Sequence, residues 1–134
     1  MNFDALETWH REGFEQLTAF RDPRSGARGV LALHSTQLGP AFGGIRRWSY
    51  PDLGAAARDA LRLARAMTYK CALADLPAGG GKVVLLDTPG VALPAQYEHV
   101  GDLVERLNGR YFAGPDVGAG EAELAAVRRR TRWV

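Results

Sequence analysis

The four consecutive apolar residues Val83–Leu86 constrain the fold more than any other stretch of this chain. They are bounded by Gly79–Lys82 on one side and by Thr88-Pro89-Gly90 on the other. A strand that is apolar on both faces has to be covered on both, so it belongs inside a sheet with a layer on either side. Ahead of it lies a helical pattern from Pro51 to about Ala72. Leu53, Ala57, Ala60, Leu61, Ala64 and Met67 repeat at three and four residues and form one stripe, while Arg58, Arg62 and Arg65 take another face. Pro51 and Asp52 suit a first helical turn.

The remaining segments follow the same grammar. Residues 14–34 predict a β-hairpin, with Asp22, Pro23, Ser25 and Gly26 supplying the turn. Residues 39–48, GPAFGGIRRW, predict a strand edge or a loop, and the pair Gly43-Gly44 marks a close approach to the backbone. A second helix fits residues 94–108 through Tyr97, Val100, Val104 and Leu107, with Asn108-Gly109 as its stop. YFA (111–113) is a short strand and GPDVG (114–118) a turn. A last helix begins near Gly120, with Glu121 and Glu123 at its start and Arg128–Arg130 at its end. The order predicts an α/β fold, a mixed sheet flanked by helices, in one domain of 134 residues.

Charge and cysteine content narrow the class. Seventeen Lys and Arg against fifteen Asp and Glu leave a net charge of +2, with no basic and aromatic stripe for nucleic acid. No stretch approaches the roughly 18 apolar residues of a membrane span, and the first residues, MNFDALETWHREGFE, lack the apolar block of a signal peptide. The single cysteine, Cys71, cannot pair within the chain and reads as a buried, inert thiol. A soluble cytoplasmic domain is therefore expected. His10, His34 and His99 have no metal-ligand spacing, and RRRTR (128–132) reads as a solvated helix end.

Two lysines stand out because they fall where the core should be. Lys70 follows Met67 by three residues, near the apolar stripe, and Lys82 opens the buried strand. Lys70 is either a helix-end lysine snorkelling to water or a cation for a ligand. Lys82 is either a solvated charge where the strand begins or part of a site. A phosphate loop is excluded, since Leu76 stands where its first glycine belongs and Val83 follows the lysine. A site for an anionic carbonyl compound remains: one lysine holds a carboxylate, and the other, desolvated near the first cation, works as a base. Asp116, in its glycine-flanked turn, is the best placed proton carrier, or else an ordinary turn aspartate.

LGPAFGGIRRW (38–48), LARAMTYKCALADLPAGGGKVVLL (63–86) and GPDVG (114–118) together resemble the amino-acid dehydrogenases, and more closely the leucine, phenylalanine and valine dehydrogenase branch. The resemblance runs from about Gln16 to Val134. It implies that Lys70 binds the substrate α-carboxylate, Lys82 is the catalytic lysine and Asp116 passes protons to and from the amino group. It also implies that Gly43 and Gly44 place backbone beside the carboxylate, and that Met67 lines the pocket. Gly79–Gly81 would leave room for substrate near the main chain. Glutamate dehydrogenases commonly carry a lysine where this chain has Phe42, so an acidic side chain is disfavoured. Phe42 stands where the branch often has leucine and Gly114 where it often has alanine, which alters pocket depth. The implied reaction is NAD-dependent oxidative deamination of an apolar L-amino acid to a 2-oxo acid and ammonia. The implied assembly is a homo-oligomer built through the 14–34 hairpin.

No G-x-G-x-x-G follows, and the chain stops at TRWV (131–134), which resembles the start of an interdomain linker. The expectation is a substrate-binding and dimerisation domain, the product of a truncation, without dehydrogenase activity of its own. The alternative is a non-catalytic domain that binds amino acids or pairs with full-length subunits.

Overall fold

The structure, a computed structural model, describes residues 4–134. Nine elements follow one another: α1 (Ala5–Arg11), β1 (Gln16–Arg21), β2 (Arg28–Ser35), β3 (Ala41–Trp48), α2 (Leu53–Leu73), β4 (Gly79–Leu86), α3 (Leu93–Arg106), β5 (Tyr111–Gly114) and α4 (Glu121–Arg128). The sheet runs β1-β2-β4-β3-β5, with β2 antiparallel to both its neighbours, β1 and β4, and with β4, β3 and β5 parallel. This is the mixed, helix-flanked sheet that the apolar pattern predicts.

The handedness of parallel connections sets the layers. From β3 the chain crosses through α2 to β4 on one side, and from β4 it crosses through α3 to β5 in the opposite direction. Two right-handed crossovers in opposite directions must use opposite faces. Accordingly, Val83 and Leu85 join Tyr97, Val100, Val104, Leu124 and Val127 of α3 and α4 in one core, while Val84 and Leu86 join Ala56, Ala60, Leu61 and Ala64 of α2 in the other. All eight residues of β4 are buried. Each fully buried Val or Leu contributes about 1.5–3 kcal/mol of transfer free energy.

Local signals account for most boundaries. The hairpin pairs Gln16 with Leu33 through Arg21 with Arg28. Its turn is held by the Asp22 carboxylate, which accepts from the Ser25 hydroxyl at 2.7 Å and from the Ser25 N–H at 3.2 Å. Asp52 caps α2 by accepting from the Ala55 N–H at 2.7 Å. The predicted helix at 94–108 stops at Arg106, and Asn108 and Gly109 adopt left-handed φ angles of 49° and 86°.

Four expectations are corrected. Within residues 39–48 only Gly39 and Pro40 are loop: β3, Ala41–Trp48, lies inside the sheet between β4 and β5. The buried strand begins at Gly79 rather than Val83, because its glycines are packed, not free. A Cβ on Gly79 would overlap the Ser35 carbonyl oxygen, and one on Gly80 would overlap the Thr68 nitrogen and Ala64 oxygen of α2. One on Gly81 would sit 2.9 Å from the Tyr111 ring. These glycines let protein meet protein and do not clear space for substrate. Leu53, placed in the α2 stripe, is 48% exposed at the helix start. The short helix α1 was not foreseen; Asp4 caps it and Trp9 and Ala5 pack it against the α2 core. Cys71 is buried as expected.

Because Gly80 meets helix backbone, Gly80→Ala should force α2 away from β4 and lower the unfolding free energy by about 1–3 kcal/mol or more. Chemical denaturation checks this, and an unchanged midpoint would contradict it.

Candidate active site

The helix α2 covers β2 and β4 and reaches only the margin of β3, so one part of that sheet face stays open. Strand alternation decides what the open part presents. Ala41 and Ile45 of β3 and Tyr111 and Ala113 of β5 point into the α3–α4 core. Phe42, Gly44, Arg46, Phe112 and Gly114 therefore point to the α2 side. Lys82 does too, being in step with Val84 and Leu86.

Lys82 is 6% exposed, which overturns the reading of a solvated charge. Taking an ammonium ion out of water costs several kcal/mol unless it is paired. Its partner is Asp116, with Nζ to Oδ2 at 2.7 Å. The pair joins Lys82 of β4 to the turn aspartate singled out in the sequence. Gly44 makes that pair possible: a Cβ there would lie 2.8 Å from the Asp116 Cβ and overlap the Pro115 oxygen. Burial pushes the Asp116 carboxyl up. The Lys82 ammonium, the Val117 N–H and the Arg46 guanidinium outweigh that and hold it below the usual carboxylate range.

The turn carrying Asp116 is fixed from both sides of β3. On the α2 side, Arg46 Nε donates to Asp116 Oδ2 at 3.0 Å. On the other side, the Arg47 N–H donates to the Val117 oxygen at 2.9 Å, and the Tyr97 hydroxyl donates to the Gly118 oxygen at 2.5 Å. Gly118 takes a φ of 80°, which favours glycine. Gly43 has a structural part: its carbonyl accepts from the Tyr111 hydroxyl at 2.5 Å, and a Cβ would overlap the Gly81 oxygen.

Lys70 and Met67 come from α2. Asp59, Leu63, Met67 and Lys70 follow one another at four, four and three residues, so they share a flank of the helix. Asp59 touches Arg46 at 3.5 Å, which identifies the flank as the one bordering the open sheet. Met67 is half-buried, and Lys70 is exposed with no ion-pair partner among the described residues.

Beyond Asp116 the face is apolar. The Phe42 and Phe112 rings lie 5.4 Å apart, and Trp133 stands edge-on to Phe112 at 5.3 Å. A Cβ at Gly114 would meet nothing within 4 Å, so the space above it is open. A further cleft of about 480 Å³ opens beside Arg46, lined by Trp48, Tyr50, Asp59, Arg62 and Val117 among others.

The other candidates separate from this region. His34 bonds Thr68 at 2.8 Å and His99 faces Asp22 at 3.6 Å. No group of His, Cys, Asp and Glu suited to a metal occurs among the described residues. The 128–132 arginines are paired: Arg128 with Glu121, Arg129 and Arg130 with Glu98, while Arg132 stacks on Trp133. Sequence reasoning missed Arg46, Asp59, Tyr50 and Phe112. Period two from Gly44 would have placed Arg46 on the site face, had β3 been read as an interior strand.

A buried lysine paired with a turn aspartate lies beside an open apolar shelf. Comparison with known proteins then gives the family. The model described as Glu/Leu/Phe/Val dehydrogenase, dimerisation domain, matches residues 15–133, and the chain belongs to that family. It is 40% identical over 133 residues to a leucine dehydrogenase of Thermoactinomyces intermedius, covering 98% of this chain and 36% of that protein. It is 40% identical over 121 residues to a phenylalanine dehydrogenase of Lysinibacillus sphaericus, covering 90% and 32%. The crystal structure of L-tryptophan dehydrogenase from Nostoc punctiforme superposes with a TM-score of 0.90 at 37% identity, covering 96% and 39%. The chain thus spans about a third of the curated relatives it matches and corresponds to their N-terminal domain.

Burial makes the pair asymmetric. Lys82→Met should leave stability within about 1–2 kcal/mol or raise it, since methionine fills the volume and Asp116 keeps Arg46. Asp116→Leu strands a buried ammonium and should cost roughly 3–5 kcal/mol. Urea unfolding of both variants at neutral pH checks the difference, and equal losses would contradict it.

Proposed function

We propose that this chain is the substrate-binding part of an L-amino-acid dehydrogenase acting on an apolar amino acid and its 2-oxo acid. One observation carries the reading: the Lys82–Asp116 pair lies at the foot of an open apolar shelf in a chain of this family. Lys70, an unpaired cation on the bordering flank of α2, binds the substrate carboxylate. A fixed cation suits a carboxylate because a charge-assisted hydrogen bond is roughly twice as strong as a neutral one. Lys82 as ammonium donates to the oxo oxygen, and in the reverse direction its neutral amine, once its proton has been given up, takes a proton from the water that attacks the imine. Asp116 exchanges a proton with the amino nitrogen. Phe42, Phe112 and the space above Gly114 receive the side chain, and Phe42 offers no charge to grip a second carboxylate.

Oxidation at the amino carbon requires a hydride acceptor, NAD by family resemblance. The described residues do not build its cradle: Gly79–Gly81 are packed inside the sheet, and Gly114, Gly118 and Gly120 flank the Asp116 turn. These residues supply binding and proton transfer only. The edge strand β1 is our candidate for pairing between copies, in keeping with a dimerisation domain.

Calorimetry of the purified chain with 4-methyl-2-oxopentanoate and phenylpyruvate tests the proposal. Saturable binding is expected, reduced at least about tenfold by Lys70→Ala, the scale of losing one charged hydrogen bond of about 1.5–3 kcal/mol. Gly114→Val, which adds bulk only to open space, should leave stability unchanged and weaken phenylpyruvate by roughly 10-fold or more. Absence of binding by the folded chain would contradict a preformed half-site.

A further inference from the structure

Asp116 meets two cations, and both take the same oxygen. Lys82 Nζ lies 2.7 Å and Arg46 Nε 3.0 Å from Oδ2. Arg46 is itself braced. Its NH1 group lies 3.5 Å from Asp59 Oδ2, and Asp59 is held in turn by the Tyr50 hydroxyl and by Arg62 at 2.6 Å. Arg46, Asp59 and Asp116 have side chains 23%, 17% and 20% exposed, so the network is largely shielded from solvent. It ties α2 to β3, to the 114–118 turn and to β4.

The two cations differ in what they can do. An ammonium that trades protons with substrate is not a constant partner, whereas a guanidinium stays charged at every accessible pH. Its planar fork also holds two carboxylates at once in fixed directions, whereas the donors of an ammonium rotate freely. When Lys82 turns to its substrate, Arg46 is the partner left to Asp116.

We propose that Arg46 is a positioning residue, whose guanidinium, braced by Asp59, clamps Oδ2 of Asp116 and leaves Oδ1 to the substrate's amino nitrogen. This rests on the reading of Asp116 as proton carrier. The charged and titratable groups around Asp116 are Lys82 from β4, Arg46 from β3 and Tyr111 from β5, with Asp59 and Arg62 of α2 behind Arg46. Burial raises the proton affinity of Asp116 and the cations lower it, with a net fall. Its ionised form therefore stabilises the fold above the usual carboxylate range, and that contribution is lost as pH falls through the lower folded value. Without Arg46 the proton should bind at higher pH.

Carbon-detected NMR titration of the Asp116 carboxyl in the 134-residue chain tests this. Arg46→Gln should raise its midpoint by about one pH unit, and Arg46→Lys, which keeps the charge but not the fork, by about half as much. A strut with no electrostatic part would lower the thermal midpoint and leave the titration in place; an unmoved midpoint in either folded variant overturns the inference. If Arg46→Gln does not fold, Arg46→Lys decides. Calorimetry with 4-methyl-2-oxopentanoate separates this from the dehydrogenase reading. A shifted midpoint with no binding by the unaltered chain supports the clamp and contradicts the function. Normal binding with an unmoved midpoint does the reverse.

Discussion

The arrangement depends on one buried ion pair. Lys82 sits in a strand whose every residue is buried, and its ammonium would be untenable there without the carboxylate of Asp116 at 2.7 Å. An apolar residue of the same length would satisfy the sheet as well or better. The features around the pair exist to permit it. Gly44 gives up its side chain so that Asp116 can lie over β3, and Arg46, Arg47 and Tyr97 fix the turn that presents it. A protein that only needed to fold would not retain this charge.

Layering makes the site accessible. The two crossovers place α2 and α3 on opposite faces, and α2 is displaced toward β2 and β4. The open remainder of its face, over β3 and β5, carries the charged pair at one end and aromatic rings at the other. Helix and sheet thus define a cleft with one exposed cation, Lys70, on its border and one buried charge pair on its floor.

Much of this was legible in the sequence. The run Val83–Leu86 implied a doubly covered strand, and the stripe from Ala57 to Ala64 implied the helix that covers it. The motifs around Lys70, Lys82 and Asp116 carried the family. What was not legible depended on strand order. Residues 39–48 look like a loop because three of the ten are glycine, yet Gly39 and Gly43 are required by close backbone approach and Gly44 by Asp116. Reading β3 as an interior strand is what gives Arg46 a face, and with it a role. The helix α1 was missed because none of its residues is buried. Likewise the glycines before Lys82 signal flexibility by composition, while in the structure they are packed where a side chain would not fit.

The central claim is that Lys82 and Lys70 act on one ligand from floor and border of the same cleft. The most direct measurement follows the side-chain NMR signals of both lysines during titration of the chain with 4-methyl-2-oxopentanoate. The account predicts that both move along a single saturation curve. Saturation with Lys82 unmoved, or with shifts confined to the α3–α4 side, would contradict it.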